Sequence, residues 1–310
     1  MTSSEAAPRA SAGVRATATA RPPPLAYVYL AAIVLSWALN WPLMKLAIGS
    51  VPPFLFVLLR LAGSVLLVAP ALAASGQGLV PARGERRDLF WVGQFQITGF
   101  LLCSIIGLKL VPAGRAIVLA YMMPLWAIPI GRFLWPEPIG RAQLAGAAIG
   151  FFGLMLFMNP ALVDWHDPVA VAGNALLIAA AILWALGSCL YRQRRWHSPF
   201  WVQTLWQLAV SLPPVAVVAF AVGFGGAPLR WSPEVVAILL YNCVVTTALG
   251  YFLWSRVLSM MPAATAGQVL TLTPVGGFVL SVLLFGGAVT LDVALSIALI
   301  VAGIFVTLRR

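Results

Sequence analysis

Acidic side chains are scarce in this sequence, with eight Asp and Glu among 310 residues against 19 Lys and Arg. None lies deep in an apolar run, and both histidines, His166 and His197, fall between such runs. Carboxylate-pair catalysis is thereby excluded, and the usual intramembrane proton carriers are missing. Cysteine is rare too. Cys103, Cys189 and Cys243 sit in apolar runs with no second ligand type nearby, which indicates neither a disulfide framework nor a metal site. No Ser/His/Asp or Cys/His set and no phosphate-binding glycine loop is present. Neither an enzyme nor a cofactor is expected.

What is abundant is apolar. Hydrophobic residues make up 62% of the chain, with 12 Trp and 16 Phe, a balance unlike that of soluble domains. Crossing a bilayer core takes roughly 20 apolar residues per helix. Ten such runs succeed one another, at 25–48, 53–74, 89–110, 113–134, 139–159, 168–191, 199–223, 232–257, 262–286 and 290–308. The expected fold is an all-α integral membrane protein of ten transmembrane helices. Residues 1–24 hold Ala, Ser, Thr, Pro and Arg without an apolar stretch, and read as a disordered cytoplasmic tail rather than a secretory signal.

The net charge of +11 does not point to nucleic acid, because the basic residues stand in short groups between apolar runs. Arg83, Arg86 and Arg87, then Arg132 and Arg141, then Arg192, Arg194 and Arg195, then Arg256, Arg309 and Arg310 all fall on one side. The other side has little beyond Asp164, Asp167, Arg230, Glu234 and Asp292. The positive-inside rule then puts both termini in the cytoplasm. The lipid bilayer and a small-molecule substrate are the expected partners, and the protein is read as a monomer.

The chain also repeats itself. "WALNWPL" at Trp37 returns as "WALGSCL" at Trp184, "LVPAGRA" at Leu110 answers "MMPAATA" at Met260, Pro124 answers Pro274, and Gly153 answers Gly303. Residues 25–159 and 168–308 are thus two copies of a five-helix unit. Five is odd, so the second copy is inverted in the membrane. Inverted repeats of this kind mark transporters, with the substrate site at the repeat interface near the midplane.

The stretches "LSWALNWPLMKLAI", "PPFLFVLLRLAGSVLLV" and "LKLVPAGRAIVLAYMMPLWAIPIGRFLWPEPI" in the first half, with "TALGYFLWSRVLSMMPAATAGQVLTLTPVGGFVLSVLLF" in the second, resemble EamA-type transporters of the drug/metabolite transporter superfamily. The resemblance spans nearly everything after residue 25. It implies a multi-pass carrier of the bacterial inner membrane that exports small organic metabolites, amino acids or related carboxylates, or drugs, by alternating access. Members usually carry a Glu after the fourth helix of each half. Glu137 supplies it in the first, while the second has Gly287.

Residues that could carry transport are few. Arg60 lies about 10 Å into the second run, too deep to reach the surface easily, and is a candidate for substrate or ion contact; its repeat mate is Gln207. Arg115 opens the fourth run, and Arg115, Leu119, Met122 and Trp126 share a stripe at helical spacing. If that stripe faces the repeat interface, it forms a cationic mouth above an aromatic wall. Pro124 removes a backbone hydrogen bond in mid-membrane, with Tyr121 as a possible partner for the freed carbonyl; Pro274 repeats the break beside Gln268, Thr271 and Thr273. Trp37, Asn40, Trp41 and Met44 recur on the first run, and Trp184 repeats the aromatic in the sixth. Gly146, Gly150 and Gly153 read as helix packing.

With no deep carboxylate, facilitated diffusion is the simplest energetics, and Glu137 is the one candidate for proton coupling. A carrier of phosphorylated metabolites or a passive channel are the competing readings.

Overall fold

The computed structural model describes residues 22–111, 113–134, 140–159, 166–222, 229–285 and 290–309. Among these, ten helical stretches are long and apolar enough to cross a membrane, and no strand is present. They are α1 (Pro24–Ile48), α2 (Pro53–Ala74), α3 (Arg86–Leu110), α4a (Ala113–Ala120) with α4b (Met123–Phe133), and α5 (Arg141–Met158). The second half comprises α6 (Pro168–Gln193), α7 (Phe200–Ala221), α8 (Pro233–Met260), α9a (Ala263–Leu270) with α9b (Leu272–Phe285), and α10 (Leu291–Leu308).

Local chemistry explains the starts. Pro24, Pro53, Pro168 and Pro233 each open a helix at the first turn, where the missing N–H costs nothing. The Asp167 carboxylate accepts from Val169 N at 2.9 Å and the Ser232 hydroxyl from Val235 N at 3.2 Å, capping α6 and α8. Expected and observed spans agree to within about a turn.

The helices pair as a twofold axis requires. α1 packs on α8 and α9b, and α6 packs on α3 and α4b; α2 pairs with α7, and α5 with α10. Exchanging the halves maps this pattern onto itself, and because each half has five spans the axis lies in the membrane plane. Two serines show the symmetry atom by atom. Ser64 Oγ on α2 donates to Cys243 O on α8 at 2.8 Å, and Ser211 Oγ on α7 donates to Gly93 O on α3 at 3.2 Å.

Those carbonyls border two π-helical segments, Gln94–Gly99 in α3 and Asn242–Leu249 in α8. A π turn loosens the ladder and leaves carbonyls for neighbouring helices, which is why such turns collect at functional sites. The α5–α10 pair is the opposite case. A Cβ at Gly146 would come within 2.1 Å of Thr307 Oγ1, and one at Gly303 within 2.6 Å of Gly146 O. Backbones meet there because neither residue has a side chain.

The fourth span is broken. α4a ends at Ala120 and α4b begins at Met123, with Pro124 in its first turn. The stripe from Arg115 through Leu119 and Met122 to Trp126 therefore does not run along one continuous helix, which corrects the expectation of a single cationic-to-aromatic face. Pro274 likewise follows a break at Thr271 in the ninth span.

Candidate functional site

Arg60 is 5% exposed on α2. Its Nε donates to Thr247 Oγ1 at 2.9 Å and its Nη2 to Thr246 Oγ1 at 3.3 Å, both in the π segment of α8. The ion pairs among the described residues are formed by Arg87 and Arg194 with Asp88 and by His197 with Glu85, and none involves Arg60. Two hydroxyls orient the guanidinium without neutralising it. A buried cation without a counter-ion is costly, and guanidinium N–H groups are donors of the kind a carboxylate or phosphate accepts from.

Beside it is a cavity of about 60 Å³, room for a few water molecules or the head group of a small ligand. Its walls are aromatic, from Trp37, Trp41, Phe100, Tyr121, Trp184 and Tyr251. The polar groups are Arg60, Asn40, Ser104 and Thr246. Asn40 Oδ1, Ser104 Oγ and Trp184 Nε1 are buried with no hydrogen-bond partner among the described residues. The cavity thus offers a cation, an open acceptor and open donors on an apolar wall, the composition of a small-molecule site.

The two tryptophans of the repeated motif meet at its floor, edge to face, with ring centroids 5.3 Å apart. Trp37 Nε1 donates to Thr246 O at 3.0 Å, a carbonyl of the π segment. The lining also includes Met44, Val57 and Leu108. Met44 lies about 10 Å along α1 from Trp37, so the cavity extends from mid-bundle toward the end that carries the turn at 49–52. Beneath the floor Trp254 lies obliquely at 5.8 Å from Trp184 and 6.4 Å from Trp37, and its Nε1 donates at 3.3 Å to Ser188 Oγ, which also accepts from Gln96 Nε2 at 2.8 Å.

Of the eleven expected contact residues, six line this cavity: Trp37, Asn40, Trp41, Arg60, Tyr121 and Trp184. Met122 sits buried in the α4 break while its neighbour Met123 reaches the lining. Arg115, at the start of α4a, and the partly buried Trp126 lie outside it. Gln268 is turned to α5, its Nε2 donating to Gly146 O at 3.2 Å, and Thr271 Oγ1 donates to Gln268 O at 2.6 Å. Tyr121 takes a hydrogen bond from Trp41 Nε1 at 3.5 Å across the cavity wall, where the freed-carbonyl role had been expected. Glu137 lies outside the described residues. Thr246, Thr247, Ser104 and Tyr251 were missed. The adjacent threonines one turn after Asn242, inside an apolar run, were the available signal.

The far end of the bundle is closed by polar contacts between the halves. Asp88 pairs with Arg194 at 2.8 Å, Ala82 N donates to Ser198 Oγ at 3.0 Å, and Glu85 accepts from the backbones of His197 and Ser198. Burial pushes the Glu85 carboxyl up, but the hydrogen bonds from Ser198 and His197 outweigh it and hold the group below its ordinary value.

Comparison with known proteins bears on this architecture. The sequence model described as "EamA-like transporter family" matches residues 24–159 and 171–309. A "Probable amino-acid metabolite efflux pump" of Salmonella typhimurium is 27% identical over 285 residues, covering 88% of this chain and 91% of its own. The transporter YoaV of Bacillus subtilis, itself uncharacterized, is 24% identical over 274 residues, 88% of this chain and 93% of its own. A solved crystal structure with 23% identity superposes over 93% of this chain and 96% of its own with a TM-score of 0.75, which shows the shared fold.

Proposed function

The chain belongs to the EamA-like transporter family, a multi-pass membrane transporter and not an enzyme, and from that premise we propose that it exports a small amino acid or related carboxylate. Arg60 carries this reading: a buried guanidinium, held by two threonines and paired with no described carboxylate, beside an aromatic cavity at the repeat interface. The substrate carboxylate bonds Arg60, its ammonium group takes the open Asn40 Oδ1, and its side chain lies against the Trp and Tyr faces, where a cation is also favoured. The efflux-pump name of the Salmonella relative agrees with an amino-acid cargo.

Both termini and the Asp88–Arg194 end lie in the cytoplasm, because the arginine-rich loops collect there. Transport runs by facilitated diffusion between two conformations. Phosphorylated metabolites are the second reading, since Arg60 would serve them equally, but one cation at the cavity suits a single negative charge better.

Counterflow in proteoliposomes tests the proposal. A carrier accelerates uptake of labelled substrate when unlabelled substrate is inside, and does so without a pH gradient. Uptake indifferent to internal substrate would make the protein a channel. Uphill accumulation abolished by a protonophore and by Glu137→Gln would replace facilitated diffusion with proton coupling.

A further inference from the structure

Arg256 stands on α8 one turn before that helix ends at Met260, at the Asp88–Arg194 end of the bundle. Three helices converge there, since α1 and α7 both pack on α8. The Arg256 guanidinium lies 4.7 Å from the ring of Phe200, which opens α7, and 6.0 Å from the ring of Tyr29, near the start of α1. Ring faces attract a cation but bring no acceptor oxygens. Guanidinium N–H groups form a planar fork that matches carboxylate or phosphate oxygens, and the ion pairs among the described residues do not include Arg256.

The surroundings of this guanidinium suit lipid better than water. Leu249, Phe252 and Arg256 share one stripe of α8 at helical spacing. Leu249 is 38% exposed and lies about 10 Å deeper in the membrane than Arg256, at about 1.5 Å per residue. Trp201 stacks on Phe252 with centroids 4.1 Å apart, and Phe200 meets the same ring edge to face at 6.4 Å. Aromatic rings of the kind that mark a membrane interface thus hold a charge above an apolar track. The acidic residues described at this end have other partners, Asp88 in Arg194 and Glu85 in His197 and Ser198. An ammonium or choline group would find no unpaired carboxylate among them, and the Phe200 and Tyr29 rings already face a cation.

We infer that the cleft between α1, α7 and α8 binds an anionic phospholipid, whose phosphate takes the Arg256 fork and whose acyl chain lies along Phe252 and Leu249. A lipid of net negative charge is favoured over a zwitterionic one, because the cleft supplies a cation and nothing for a positive head group. The apolar track favours a lipid over a free phosphate ester, which would gain the charge contact and none of the burial. Tyr29, Phe200, Phe252 and Arg256 do not line the aromatic cavity beside Arg60, so this site is separate from that one and does not rest on what the protein transports.

Native mass spectrometry of the purified full-length protein, titrated in detergent with dioleoyl phosphatidylglycerol or dioleoyl phosphatidylcholine, tests the inference without any transported substrate. The native protein should bind its first phosphatidylglycerol about fivefold more tightly than phosphatidylcholine, the worth of one basic side chain beside an anionic head group. Arg256→Gln should bring the two affinities together. Phe200→Leu, which keeps the charge and removes the ring that holds it, should weaken the preference about twofold and carries the test where Arg256→Gln does not fold. Arg83→Gln removes the same charge from an exposed position at the same end and should leave the preference intact. Excess sn-glycerol 1-phosphate should not displace the bound lipid. Equal affinities in the native protein, a preference unchanged in Arg256→Gln or in Phe200→Leu, or one lost equally in Arg83→Gln would overturn the site, and displacement by the glycerol phosphate would overturn its assignment to a lipid.

Discussion

The α5–α10 seam and the α2–α8 contact use similar residues and do opposite things with them. In the seam, Gly146, Gly150 and Gly303 bring backbones together until no Cβ fits at Gly146 or Gly303. At α2–α8, Gly63, Ser64, Thr246 and Thr247 also permit close approach, but a π segment widens the helix and Arg60 occupies the opening. Small and polar residues in a membrane therefore give adhesion or a site depending on whether the backbone ladder beside them is intact. The seam fixes the halves, and the loosened ladder leaves room for a ligand.

The harshest way to break this contrast is Gly146→Leu. Its side chain would meet Thr307 and the Gly303 carbonyl, so a loss of at least about 3 kcal/mol is expected, at the top of the overpacking range, read as loss of monodisperse protein on size-exclusion chromatography. Arg60→Gln should leave folded yield intact yet lower kcat/KM for a carboxylate substrate about ten- to a hundredfold, the worth of a charge-assisted hydrogen bond. Arg60→Lys should recover only part of it, because an ammonium cannot replace the forked geometry toward Thr246 and Thr247.

The tryptophan pair sharpens the comparison at lower amplitude. Trp37→Phe deletes the bond to Thr246 O and should cost about 1 kcal/mol of stability on thermal unfolding. Trp184→Phe removes a donor that has no described partner, and should leave the unfolding temperature nearly unchanged while altering KM. The smallest effect concerns pH. Glu85 is held below its ordinary value in the folded protein, so its bonds to His197 and Ser198 stabilise above the ordinary carboxylate value and are lost as pH falls through the depressed one. The thermal advantage of the native protein over Glu85→Gln should be present near neutral pH and vanish in acid.

Span number, span limits and the inverted repeat were legible because lipid imposes a length and a composition on every helix, and because Trp37 and Trp184, or Pro124 and Pro274, are repeated at matched positions. Arg60 was legible as a charge that needed a reason. The π segments were not: Gln94–Gly99 and Asn242–Leu249 have the same apolar periodicity as α-helix, and only the neighbouring Ser64, Ser211 and Trp37 reveal which carbonyls are free. Gln268 misled for a related reason. A polar residue beside a helix break reads as a site, but the absent side chain of Gly150 leaves space on α5 that Gln268 fills, where a Cβ would lie 2.4 Å from its Nε2.

The assignment of Arg60 is tested most directly by competition in counterflow, using an amino acid and its carboxamide as rival unlabelled ligands against native protein and Arg60→Gln. Native protein should be inhibited by the amino acid at least about tenfold more strongly than by the carboxamide, and Arg60→Gln should lose that preference. An unchanged preference in Arg60→Gln would contradict the claim that this guanidinium receives the substrate's carboxylate.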